Sequence, residues 1–288
     1  MSHRTFRSLG IAATAAAALV LSACGGNGNG DDAEEGQAGT ENEEGLVELT
    51  VGVSPVPHGQ ILQFINDELA EEAGLSLQIE EFTDYQIPNE ALDSGELDAN
   101  YFQHEPWFDA EVEQHGYDIV HFEGVHIEPF ALYSSQYDDV ADLPEGATIA
   151  LNNDPSNQAR GLVLLQDAGL ITLDSGVDEQ SATILDVQDN PQDFTFIEAD
   201  AAALTRTLDD VDAAVINGNF AMEAGLSPTE DGLLVESGED NPYANFLAVR
   251  SEDEDNEAIA TLQELLTSDE VRDYIEENWT DGEVLPAF

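Results

Sequence analysis

Three short polar stretches carry side chains suited to recognising a small charged molecule. The richest is Asn152-Asn153-Asp154-Pro155-Ser156-Asn157-Gln158-Ala159-Arg160. Asp followed by Pro marks a helix N-cap and its first residue. That puts Asn157 at about the third helical position and Arg160 one turn on, on the same face. An arginine so near a helix N-terminus opposes the macrodipole. A bound anion would satisfy the guanidinium, the dipole and the free N–H groups together, and a surface carboxylate would equally satisfy the arginine alone. The second stretch, Asn100-Tyr101-Phe102-Gln103-His104-Glu105-Pro106-Trp107, sets three aromatics and an imidazole in the turn before a helix. The third, Asn217-Gly218-Asn219-Phe220, offers carboxamides, or simply turn chemistry.

All three stretches follow a strand-like run and lead into a helical pattern. Apolar–polar alternation or apolar runs predict strands at Val47–Val53, Leu75–Glu80, Leu97–Tyr101, near Phe130–Ser134, and at Thr148–Leu151, Thr183–Val187, Phe194–Glu198, Asp212–Ile216 and Ala244–Val249. Helices are expected over Gln60–Ala73, Asn89–Ser94, Glu105–His115, Pro155–Ala168, Ala201–Asp209 and Phe220–Ala224, with one or two in Asn256–Asn278. This alternation predicts an α/β protein with largely parallel sheets. In such sheets ligands bind outside the carboxyl ends of strands, where the three stretches fall. A chain of 288 residues suggests two domains or lobes, and no internal repeat is present.

Charge narrows the function. There are 62 acidic and 6 basic side chains, a formal net charge of −56, and every basic residue is an arginine. Such a surface repels nucleic acid. Without lysine there is no P-loop, Schiff base or pyridoxal aldimine, and no cofactor is expected. Acid dispersed over a chain with recurrent apolar runs fits a folded protein from a high-salt setting, where screening shortens the Debye length to about 3 Å at 1 M.

The N-terminus reads as a lipoprotein signal peptide over residues 1–23. Arg4 and Arg7 precede the apolar stretch Leu9 to Val20, which is too short to span a bilayer. Leu21-Ser22-Ala23-Cys24 resembles a lipobox, making the sole cysteine, Cys24, the lipidated first residue of the mature chain. Cleavage removes two arginines and no acid, leaving 6 − 2 = 4 arginines against 62 acids, or −58. Residues 24–46, Gly-rich and acidic, read as a flexible tether, with the folded part starting near Val47.

Taken together, Tyr85-Gln86-Ile87-Pro88-Asn89-Glu90-Ala91-Leu92, Asp98 to His104, Asn153 to Asn157 with Arg160, Leu208-Asp209-Asp210, Ala214 to Asn217 and Pro242-Tyr243-Ala244-Asn245 resemble, in order, the methionine-binding lipoproteins of ABC importers, the MetQ/NlpA lipoprotein family. The resemblance implies a two-lobed, type 2 periplasmic-binding-protein-like fold with the ligand in the cleft between lobes. Lobe 1 would comprise residues 47–128 with 233–288, and lobe 2 residues 129–232. It implies ligand contacts from Tyr85, Phe102, His104, Trp107, Asn157, Arg160, Asn217 and Asn245. Trp107 stands where the family commonly has tyrosine. It also implies L-methionine or a related amino acid as ligand, an ABC permease with its ATPase as partner, and a lipid anchor on the extracytoplasmic side of the cell membrane. The residues agree: Arg160 offers a cation for a carboxylate, the Asn217 and Asn245 carbonyls can accept from an ammonium, and aromatics suit a thioether.

Other readings have weaker support. His104, His115, His121 and His126 suggest a metal-binding importer component, but their spacings of 11, 6 and 5 place no pair on one helix face. No hydrolase motif such as GxSxG or HExxH is present, so no enzyme is expected. A lipoprotein sensor or adhesin remains open.

Overall fold

The computed structural model describes residues 38–238 and 241–288. The signal peptide, Cys24 and the first part of the tether lie outside the described residues. In chain order come β1 (Thr40–Glu41), β2 (Val47–Val53), α1 (Gln60–Glu68), β3 (Leu75–Glu81), α2 (Pro88–Asp93), β4 (Ala99–His104), α3 (Glu105–His115) and β5 (Ile119–Ile127). Then follow β6 (Ala131–Tyr133), β7 (Thr148–Asn152), α4 (Pro155–Asp167), β8 (Thr172–Leu173), β9 (Val187–Asp189), β10 (Thr195–Ala199), α5 (Leu204–Thr207), β11 (Ala213–Ile216), α6 (Gly218–Glu223), α7 (Pro228–Asp231) and β12 (Gly232–Val235). The chain ends with β13 (Asn245–Arg250), α8 (Glu257–Leu266), α9 (Asp269–Asn278) and β14 (Leu285–Pro286).

The fold is α/β and two-lobed, each lobe built on its own sheet. One sheet runs β1-β2-β4-β13-β5-β14 with β3 beside β2, and the other runs β10-β7-β11-β6-β12. The sheets are mixed, not largely parallel. β2 pairs in parallel with β3 and β4, but β13 lies antiparallel between β4 and β5. In the second sheet β7 is parallel to β10 and β11, while β6 is antiparallel to β11 and β12. The strands that run against their sheets, β6 and β13, each follow directly on a crossing between sheets, where no crossover helix dictates a parallel return, and the short edge strands β1 and β14 also pair antiparallel. β12 carries the second sheet to Val235, past the boundary expected at residue 232.

Each sheet is buried by helices with a clear apolar stripe. Ile61, Leu62 and Ile65 of α1, Ile259, Leu262 and Leu266 of α8, and Val271 and Ile275 of α9 pack on Leu49, Val51 and Val53 of β2. Leu162 and Leu165 of α4 pack on Ile149, Leu151 and Val215 of the second sheet. Helix α3 stops at Gly116, whose φ of 74° is the left-handed cap that glycine takes without strain.

Two further expectations are corrected. The chain is held from Ala38, ahead of Val47: Ala38 is buried, its N–H donates to Asp253 Oδ1 (2.8 Å), and β1 pairs with β2. Asp253 and Asp98, which accepts from the Gly39 and Thr50 N–H groups, supply acceptors that a Gly-rich acidic segment does not reveal. The strand expected at Thr183–Val187 is a one-turn helix, Ile184–Asp186, closed by a capping box between Thr183 and Asp186, with the strand following at Val187–Asp189. No helix among the described residues is long and apolar enough to cross a membrane.

Candidate functional site

A small cavity lies where the carboxyl ends of β4, β7 and β11 meet the two crossings. Tyr85, Phe102, His104, Trp107, Asn157, Arg160, Asn217 and Asn245 all line it, together with Gln103, Glu128, Phe130, Gly218 and Asn219. The eight side chains expected from the sequence are therefore neighbours in space, although they span residues 85 to 245.

Local structure aims them. Asp154 caps α4, its carboxylate accepting from the Asn157 N–H at 2.8 Å, and Pro155 follows at the first helical position. Asn157 Nδ2 donates to the same carboxylate. Its Oδ1 accordingly faces outward, 3.1 Å from His104 Nε2 and 3.3 Å from Asn217 Nδ2. His104 is the N-cap of α3: its Nδ1 accepts from the Trp107 N–H, which leaves Nε2 as the donor to Asn157. Burial, then the charge of Arg160, pulls the His104 pKa down to about 3, so the ring is neutral. Both its nitrogens are engaged by the protein, and the ring packs on Tyr243 at 5.0 Å. On the other wall, the Tyr85 hydroxyl donates to Asn219 Oδ1 at 2.5 Å, and the Tyr85 ring contacts Phe102, Trp107 and Phe220.

Arg160 is held more firmly than the sequence suggests. Nε and Nη2 make a two-pronged pair with Glu236 (3.0 and 2.6 Å), and Nη2 also donates to the Glu128 carbonyl at 2.9 Å. The guanidinium lies between the Phe130 and Tyr243 rings, 4.1 Å from each centroid. Glu128 and Phe130 belong to one crossing between the sheets, Glu236 and Tyr243 to the other. One arginine thus clasps both crossings, and Nη1 makes no hydrogen bond among the described residues. Burial acts to raise the Glu236 carboxyl, but the guanidinium beside it prevails and holds it below the usual range. This pairing offsets the unfavourable dipole at the start of α4.

Glu128 was not legible in the sequence. It follows β5, a strand whose interior His121, Glu123 and Gly124 hide the apolar pattern. Its carboxylate is buried against the first turn of α6. A Cβ on Gly218 would sit 2.6 Å from Glu128 Cβ and 3.0 Å from Oε2, so only glycine admits it there. Burial raises the Glu128 carboxyl above its usual range, partly offset by His58 and Arg160. Its Oε1 lies 2.9 Å from His126 Nε2 and 3.3 Å from His58 Nε2. These three groups bring nitrogen and oxygen ligand atoms within 4.8 Å of one another, the one such grouping found among the described residues. The histidine cluster suggested by the sequence does not form: His104 caps α3, His115 stacks on Tyr117, His121 stacks on Phe246, and only His126 joins Glu128.

A two-lobed α/β fold with a cavity lined by aromatic rings, a carboxylate and a guanidinium has the makings of a substrate-binding protein. The family model described as NlpA lipoprotein matches residues 49–288. The methionine-binding lipoprotein MetQ of Bacillus subtilis is 40% identical over 271 residues, covering 93% of this chain and 94% of its own. The membrane lipoprotein TpN32 of Treponema pallidum is 42% identical over 238 residues, covering 83% and 88%. A nutrient-binding protein from Burkholderia cenocepacia, solved bound to methionine, superposes with a TM-score of 0.80 at 42% identity, covering 83% of this chain and 100% of its own. The chain belongs to the NlpA lipoprotein family.

Proposed function

We propose that this protein captures methionine, or a closely related amino acid, in the cavity between its lobes and hands it to an ABC importer permease driven by its ATPase. The supporting observation is the arrangement of the cavity. Tyr85, Phe102 and Trp107 form an aromatic wall suited to a thioether chain, Glu128 offers a carboxylate for the ammonium, and Arg160 Nη1 offers a donor for the carboxylate. The Asn217 and Asn245 carbonyls each accept one bond within the protein, from Asn152 Nδ2 and His58 Nε2, and each keeps a second lone pair for the ammonium. A zwitterion suits a −56 chain better than an anion does, since it carries no net charge to be repelled. Family relatives named as lipoproteins support a membrane-anchored location. Anchoring through Cys24 on the extracytoplasmic face follows from the lipobox, and mass spectrometry of membrane fractions tests it by showing acylated or bare Cys24. A thermal-shift panel at high salt tests ligand class: methionine and norleucine should raise the midpoint more than glutamate or lysine, and the reverse order overturns the reading.

A further inference from the structure

A buried chain of polar groups runs from the cavity wall into the core: Glu128, which lines the cavity, then His126, Tyr101 and His58 behind it, with Asn245 on its flank. Tyr101, His126 and His58 are fully buried. The Tyr101 hydroxyl meets His126 Nδ1, and His126 Nε2 meets Glu128 Oε1. His58 Nε2 lies 3.1 Å from Asn245 Oδ1 and 3.3 Å from the same Glu128 Oε1. Four separate segments supply these groups: the turn Pro55–Gly59, β4, the end of β5, and β13.

Donor and acceptor counting assigns the protons. With Glu128 ionised its carboxylate only accepts, so His126 Nε2 carries a hydrogen, which leaves Nδ1 to accept from the Tyr101 hydroxyl. Asn245 Nδ2 turns toward the Tyr243 carbonyl, so its Oδ1 faces His58. His58 Nε2 then confronts two oxygen acceptors and must also carry a hydrogen. Burial pulls His58 to a pKa of about 4 and His126 to about 3, so neither ring adds a positive charge. Arg160, the nearest permanent cation, is already paired with Glu236.

We propose that His58 and His126 are positioning residues for the ligand's ammonium: two neutral Nε2–H groups grip one oxygen of Glu128, fix its carboxylate against the cavity, and leave it without a salt-bridged protein cation until the ligand arrives. This rests on the reading that an amino acid ammonium sits on Glu128. The design has a physical logic. A carboxylate salt-bridged to a protein cation would have to share that partner with the ligand, and an ungripped one would take up a proton in this buried place. Hydrogen bonds from neutral donors orient the carboxylate without cancelling its charge. His58 adds a second function, since its single N–H spans Glu128 and Asn245 and so sets two groups of the ammonium site in register.

Two measurements test this. Long-range proton–nitrogen NMR correlations on the ligand-free protein should show both rings as neutral Nε2–H tautomers from about pH 5 to 8; an imidazolium or an Nδ1–H tautomer at either ring overturns the assignment whatever the protein binds. Calorimetry with L-methionine and with 4-(methylthio)butanoate, which lacks the amine, should show that His58→Leu weakens methionine by about tenfold or more, the scale of a hydrogen bond to a charged group. The amine-free acid should change by less than about threefold, and His58→Gln, which keeps a donor, should recover most of the methionine affinity. Equal losses for both ligands in a folded variant would mean a merely structural role and would sink the proposal. Failure of the unmodified protein to bind methionine would instead overturn the proposed function, with the tautomers still deciding the proton arrangement.

Discussion

Replacing Arg160 with alanine separates two roles that the structure assigns to one side chain. As a clasp, Arg160 gives Glu236 a two-pronged partner at 3.0 and 2.6 Å and caps the Glu128 carbonyl at 2.9 Å. Arg160→Ala leaves Glu236, whose side chain is only 17% exposed, without its cation. Breaking a buried pair by removing one partner costs about 3–5 kcal/mol. Partial exposure of Glu236 argues for the lower end, so a loss of about 3 kcal/mol in folding stability is expected. As a ligand contact, Nη1 would supply a hydrogen bond between charged groups, worth about 1.5–3 kcal/mol, or roughly 10- to 150-fold in affinity. Adding Glu236→Gln to Arg160→Ala should recover much of the stability, because the stranded charge is gone, but none of the affinity. Urea unfolding and methionine calorimetry on both variants at one high salt concentration would resolve this. A single variant within about 0.5 kcal/mol of the parent, the range of ordinary surface substitutions, would refute the clasp. Restoration of affinity by Glu236→Gln would refute the ligand contact.

Acid should destabilise the fold. His58, His104 and His126 have folded pKa values depressed to about 4, 3 and 3, below an unfolded value near 6.5. Their contribution is therefore complete above pH 6.5 and lost as pH falls through it toward those values, by about 2 kcal/mol per ring at pH 5. The raised carboxyls Glu128 and Asp154 act in the opposite sense, taking up protons in the folded state and offsetting part of the loss. A urea midpoint unchanged or higher at pH 5 than at pH 7 would contradict this. Gly218→Ala should weaken methionine binding by about tenfold or more while unfolding stability falls by about 1–3 kcal/mol, because its Cβ drives Glu128 from its place; calorimetry showing unchanged affinity would count against Glu128 as the ammonium site.

What could be read from the sequence follows the reach of local signals. Helix α3, Glu105–His115, was legible to its end residues because Pro106 and Gly116 punctuate it, and α4 because Asp154-Pro155 opens it. Those same caps carry His104, Asn157 and Arg160, so the cleft-facing ends of helices were readable together. The long strand β5 was not, since His121, Glu123 and Gly124 break its alternation, and Glu128 at its end was lost with it. Long-range pairing was also out of reach. Nothing near residue 160 names Glu236 among 62 acids as its partner, and nothing near residue 58 points to His126. The early start of the fold at Ala38 depends likewise on Asp253, 215 positions away.

An amino acid held in the cavity between the lobes would set its ammonium on Glu128 and a thioether chain on the aromatic wall. The most direct measurement is calorimetric titration of L-methionine into the purified protein and into Glu128→Gln at high salt. Saturable one-to-one binding to the parent, weakened at least about tenfold in the folded variant, is the expected result. Absence of binding to the parent, or equal affinity in Glu128→Gln, would contradict the account.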